Sequence, residues 1–238
     1  MRSWIAALLT ASVLGAAPAH ADPTSLQIMP VNIEVPAPGA ASKVTIANNG
    51  PKTANIQVRV FKWVQKDGKD ELIETRDVIA SPPAVKLGSG KKSVIRVVRV
   101  NKRPAASEET YRLVIDDIAA PRKTGDAAIG FSVRHSLPVF FTTTADDQAE
   151  LNWKALIKGD KLVLTASNSG DRRVRLMDLK VAGKGGKAIS FGQGLSGYVL
   201  GQSTKVWVAE AKSISSGAVV KILAQSDNGA VETTARVQ

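Results

Sequence analysis

The chain of 238 residues contains no cysteine. That absence excludes disulfides, thiolate nucleophiles and cysteine-ligated zinc sites, so the fold has to be stabilised by burial alone. Histidine is nearly missing too. Only His20 and His135 occur; His20 would leave with an N-terminal leader, so no histidine pair remains for a metal, and His135 reads as a packed or surface residue rather than a catalyst. Aromatic residues make up 5%, too few for the stacking platforms that hold single-stranded nucleic acid. The net charge of +11 favours acidic partners, but the basic residues are scattered rather than gathered into a patch. Long hydrophobic runs are also lacking. The apolar stretch at residues 4–17 falls short of the roughly 20 residues a spanning helix needs.

That stretch follows Met1 and Arg2 and precedes Ala19-His20-Ala21, a small-x-small cleavage pattern. Together they read as a secretory signal peptide over residues 1–21, with an exported mature chain that begins near Asp22. Roughly 217 residues follow, enough for two ordinary domains.

Beyond the signal, β-branched residues alternate with polar ones, and Gly, Asn, Asp and Pro punctuate the pattern. Residues 44–47, 55–65, 93–100, 111–118 and 129–141 read as strands. In the second of these, Ile56, Val58, Val60 and Lys62 share one face. Lys66-Asp67-Gly68-Lys69 reads as a hairpin turn. A polar stretch at 142–147 marks a domain boundary, and a second series of strands follows at 151–156, 161–167, 174–181, 217–224 and 231–237. The expected architecture is all-β, with two tandem β-sandwiches over residues 22–143 and 144–238.

The remaining candidates for chemistry are weak. Gly88-Ser89-Gly90-Lys91-Lys92-Ser93 lacks the spacing and the following helix of a phosphate loop and reads as a turn. Asp116 and Asp117 are adjacent in a strand and so point to opposite faces. His135 stands alone in a strand. No cofactor, no metal and no enzymatic activity are expected. What is left for function is the backbone, because an open sheet edge is a liability unless something uses it.

Four segments, in order, resemble the periplasmic pilus chaperones of the chaperone–usher pathway: residues 28–50, 78–97, 108–121 and 129–141. Segments around Tyr111-Arg112-Leu113 and Arg134 to Phe140 are closest to its archaic, or alternative, branch. The resemblance implies two immunoglobulin-like domains set at an angle, a periplasmic location and donor-strand complementation, in which the chaperone lends a strand to a pilin or fimbrial subunit and delivers it to an outer-membrane usher. Ile129, Phe131, Val133 and His135 form the expected donor row, and the row Leu137 to Phe141 is expected in the domain's own core. By periodicity alone, packing of that face on its own domain's core is the favoured reading, and the resemblance is what turns it toward a donor role.

The family anchors the subunit carboxylate with two basic residues in the cleft, and here the corresponding positions hold Asn32 and Pro138. Arg134 or Arg112 is expected to substitute. Read from the residues alone, Arg134 could equally be solvated, and Arg112 could be a structural cation near Asp116 or Glu108. Glu108 and Asp227 resemble the family's interdomain acids, while the basic partner expected just after Phe141 is absent. A plain surface role fits both acids as well. The segment 121–128 is polar and turn-rich, and the free protein is expected to hide its donor edge by self-association or through that loop. The competing readings are an exported structural or adhesive tandem sandwich, and a periplasmic hydrolase on a β scaffold.

Overall fold

A computed structural model describes residues 26–103, 105–118, 132–143, 148–184, 188–211 and 214–238. All its regular elements are strands. The first domain holds β1 (Leu26–Met29), β2 (Ile33–Pro36), β3 (Ala41–Asn48), β4 (Ala54–Lys66), β5 (Lys69–Glu74), β6 (Val78–Ser81), β7 (Ala84–Leu87), β8 (Lys92–Arg99), β9 (Glu109–Asp117) and β10 (Val133–Thr142). The second holds β11 (Leu151–Lys158), β12 (Lys161–Asn168), β13 (Val174–Ala182), β14 (Ile189–Ser190), β15 (Leu195–Val199), β16 (Ser203–Glu210), β17 (Val219–Ser226) and β18 (Gly229–Arg236).

In the first domain a sheet of order β1-β3-β8-β6 faces one of order β2-β10-β9-β4-β5, with β7 also paired to β4. Alternation builds the core between them. Val44 and Ile46 from β3, Ile95 and Val97 from β8, and Tyr111, Leu113 and Ile115 from β9 are fully buried and share one cluster. In β4, Ile56 and Val58 point into this core, and Lys62 on the same face ends with its ammonium 5.2 Å from the centre of the Tyr111 ring. Trp63, of opposite parity, is equally buried. It belongs to a separate cluster with Phe140, Tyr198 and Leu200, where the second domain covers the far face of the sheet.

The second domain packs a β11-β12-β16 sheet against β14-β13-β17-β18, with β15 paired to β13. Leu162, Leu164, Leu176, Val181 and Ile222 fill its centre. Both domains end one central strand with the same device. Asn48 donates to the carbonyls of Lys52 and Leu87 and accepts from the Gly50 amide. Asn168 donates to the carbonyls of Arg172 and Leu200 and accepts from the Gly170 amide. A buried amide side chain thus satisfies main-chain groups where the ladder stops.

Two local expectations are visible directly. Asp67 and Gly68 adopt positive φ (51° and 77°) in the two-residue turn joining β4 and β5, as a type I′ hairpin requires. The Gly88–Ser93 stretch is a turn that runs from β7 into strand β8, with the Lys91 amide donating to the Gly88 carbonyl.

Candidate functional site

The first strand segment changes sheets. β1 pairs with β3 in one sheet, and four residues later β2 pairs with β10 in the other. Because β2 begins only at Ile33, it covers β10 only from Val139 to Thr142. The other side of β10 is laddered to β9 along its whole length, Val133 to Phe141. The stretch Val133 to Pro138 therefore has one paired edge and one edge without a strand among the described residues.

Two hydrogen bonds fix which residues face that edge. The Ala37 amide donates to the Thr142 carbonyl on the β2 side. At the far side of the sheet, the Ile118 amide donates to the Asn55 carbonyl, so even-numbered residues of β9 address β4 and odd-numbered ones address β10. Given the Leu113–Leu137 register, the odd residues of β10 bond β9 and the even residues face outward. Arg134 and Ser136 thus present their amide and carbonyl groups to the open edge. Pro138, the next outward residue, has no N–H to present.

The side chains of β10 divide in the same way. Phe141, Val139 and Leu137 are buried in the domain core. Along the same row His135 is half-buried and Val133 is 42% exposed, so the row leaves its own core as it approaches the open end. Ile129 and Phe131, which continue the row in sequence, lie outside the described residues, as does the segment 121–128. On the opposite face, Phe140 is buried under the second domain, whereas Arg134 and Ser136 are exposed.

That face of the sheet is charged. Asp116 accepts from Arg134 Nε at 2.6 Å and from Arg59 at 2.6 Å. Arg134 foremost, then Arg59, holds the Asp116 carboxyl below the ordinary aspartate range against the effect of burial. One carboxylate between two guanidiniums leaves a net positive charge beside the open edge. Arg112 sits deeper. Its guanidinium lies 3.7 Å from the centre of the Trp63 ring and 5.8 Å from that of Tyr198. Burial lowers its pKa from the ordinary arginine value. Rings from both domains hold it, not Asp116 or Glu108.

Asn32 lines a polar cavity of about 190 Å³ between the domains, together with Glu34, Arg172, Arg173, Arg175 and Asp227. Glu108 accepts from the backbone amide of Arg173 at 3.0 Å and from its guanidinium. Burial is the largest influence on Glu108 and pushes its pKa up, with Arg173 opposing. Arg173 also reaches Glu34 at 2.9 Å and lies 3.5 Å from the centre of the Phe140 ring. Asp227 pairs within its own domain, with Arg175.

The cation not found after Phe141 is thus supplied by the second domain. Sequence reading passed over Arg172-Arg173-Val174-Arg175, although three arginines directly after a turn were a usable signal. It also missed Arg59 and Gln65. The Gln65 amide donates to the Tyr198 carbonyl at 2.7 Å and accepts from the Leu200 amide at 3.0 Å, which imitates a strand partner across the domain junction.

The family profile for the pili and flagellar-assembly chaperone, PapD N-terminal domain, matches residues 25–144, the sandwich that carries the half-covered strand. The chain belongs to this family. Its members are chaperones rather than enzymes. Among solved structures, the chaperone–tip adhesion subunit pre-assembly complex of archaic chaperone–usher Csu pili from Acinetobacter baumannii contains a chain 25% identical, with 90% of this chain and 99% of that chain covered and a TM-score of 0.70. The E. coli chaperone DraB is 16% identical over 90% and 97% of the two chains, with a TM-score of 0.58. The Salmonella enterica complex of SafA pilin with the SafB chaperone matches at 19% identity over 88% and 93%, with a TM-score of 0.57. No curated protein sequence matches. The fold is the two-domain immunoglobulin-like architecture of pilus chaperones.

Proposed function

We propose that this chain works in the periplasm as a pilus-subunit chaperone by donor-strand complementation and passes its subunits to an outer-membrane usher. The half-covered strand β10 carries the reading. Its open edge offers the main-chain groups of Arg134 and Ser136, and Val133 and His135 leave their own core beside it. An incomplete subunit with an exposed groove would ladder onto that edge, as strand-addition complexes do. Ile129, Phe131, Val133 and His135 would fill the groove, each large apolar side chain contributing about 1.5–3 kcal/mol. No nucleotide is consumed, since release is an exchange of one strand for another.

Arg134 is the first candidate to meet the subunit's C-terminal carboxylate, with Arg59 beside it. Asn32 and Arg112 lie nearer the domain junction, where Arg112 is already engaged by rings. Glu108 acts as the interdomain acid through Arg173, while Asp227 braces Arg175. In this reading residues 1–21 are the export signal, residues 22–143 the donor domain and residues 144–238 the domain that shapes the cleft. The relatives captured with a tip adhesion subunit or a pilin support subunits as partners.

The test is periplasmic co-expression with a small pilin-like subunit encoded beside an usher. A one-to-one complex should purify with the wild type. Phe131→Asp and Val133→Asp should each abolish it while leaving the chaperone's own unfolding transition unchanged. Recovery of the complex from both variants at wild-type yield would refute donor-strand binding here.

A further inference from the structure

We infer that Pro138 is a positioning residue that keeps the docking edge of β10 open by denying β2 the next rung of its ladder; this rests on the donor-strand reading of that edge. β2 and β10 run parallel with Ile33 opposite Val139 and Val35 opposite Phe141. Continuing that register toward the N-terminus places Val31 opposite Leu137. In a parallel ladder Val31 would donate to the Ser136 carbonyl and accept from the amide of residue 138. Residue 138 is proline and has no amide hydrogen.

The chain leaves β10 at this point. Val31 and Asn32 are bends, with Val31 66% exposed, and Met29 is already laddered to Thr45 in the other sheet. Only Pro30 to Asn32 is free to close over β10, and one rung is all that this span could add. That rung would cover the Ser136 carbonyl, one of the two outward-facing residues offered to a partner. Proline is tolerated in a sheet where its nitrogen faces an unpaired edge, and Pro138 sits where the covered edge becomes the open one. The ring is buried, so the residue fills space on the cleft face while withholding the donor.

The experiment uses the full-length mature protein with Pro138→Val, which returns the N–H and keeps a buried apolar side chain, and Pro138→Ala as a second variant. Amide exchange is read on the free protein. The Val31 amide should gain about fivefold protection over the wild type, the equilibrium equivalent of one main-chain hydrogen bond. The Leu113 and Ile115 amides report whether the domain is folded. Capture of a co-expressed subunit should weaken by about the same factor, because only the unzipped fraction can bind. Val31→Pro in the Pro138→Val background removes the Val31 donor and should restore capture.

Unchanged exchange at Val31 in a folded variant overturns the inference, and so does added protection with undiminished capture. A wild-type protein that captures no subunit would instead sink the donor-strand reading, while the exchange result would still judge the role of Pro138 in the free chain.

Discussion

Gly68 and Val206 meet across the domain junction, with the Val206 amide donating to the Gly68 carbonyl at 3.1 Å. The tip of the β4–β5 hairpin is therefore not a free turn. It is docked onto β16 of the second domain, and the neighbouring Asp70–Lys205 ion pair at 2.6 Å ties the same hairpin down. A Cβ built on Gly68 would lie 2.3 Å from Val206 Cγ2.

Gly68→Ala is expected to cost about 1–3 kcal/mol, from positive φ and from overpacking against Val206, and to shift the angle between the domains. Gly90→Ala is the control. Its φ is 69° and its Cβ would meet nothing within 4 Å, so it should cost about 1 kcal/mol with no change in shape. Urea unfolding measures the first effect and small-angle scattering the second. Equal scattering profiles for the two variants would argue against the hairpin as an orienting contact.

Arg173→Ala leaves the Glu108 carboxylate, 1% exposed, without its cation. The expected loss is about 3–5 kcal/mol, as for other buried pairs cut on one side. Glu108→Gln with Arg173→Met should be milder. The pH dependence has a definite sign. Burial already raises Glu108, and losing Arg173 raises it further. A carboxyl whose folded pKa exceeds its unfolded value near 4.3 binds its proton more tightly when folded. The Arg173→Ala defect should therefore shrink as pH falls from neutrality toward that value. A defect that grows on acidification would contradict this account.

Asp116 behaves in the opposite sense. Its folded pKa is lowered, mainly by Arg134 and also by Arg59. The stability it supplies is whole above the unfolded value near 3.9 and is lost as pH falls through the depressed folded value. Asp116→Asn is expected to cost about 1–3 kcal/mol at neutral pH and to flatten the acid limb of the stability profile below about pH 4. Thermal unfolding across pH 2–7, wild type against variant, is the comparison to make.

Asn48→Ala and Asn168→Ala should each cost about 1–3 kcal/mol, because each strands buried main-chain groups. Their consequences should differ. Asn168 holds the carbonyls of Arg172 and Leu200, neighbours of the residues that contact the first domain. Its loss should loosen the junction, seen as faster amide exchange at Leu200. Asn48 holds only its own domain's turn, and its replacement should leave the Leu200 amide unaffected.

The identity of the strands was legible in the residues, since period-two alternation in β3, β4, β8 and β12 is a local property of a half-buried sheet. So was the β4–β5 turn, because Asp-Gly at the tip specifies the backbone by itself. β5 was invisible for the same reason: all six of its residues are exposed, so no alternation marks it. β6 and β7, four residues each, are too short to show a period. Val133, His135 and Leu137 share one parity in the sequence, yet they grade from exposed to buried. No pattern within β10 could show that gradient, because it depends on how far the first domain's own core extends along the strand.

From the sequence alone came the all-β class, the two-sandwich organisation, the missing catalytic chemistry and the resemblance to pilus chaperones. All of these depend on residue type and short-range spacing. The tertiary structure alone decided that Arg112 would lie between Trp63 and Tyr198, that Arg173 would supply the cation Glu108 lacked, and that β2 would leave half of β10 uncovered. Those outcomes join residues 49 to 106 positions apart, and the cost of closing such long loops is met only by contacts the whole fold makes together.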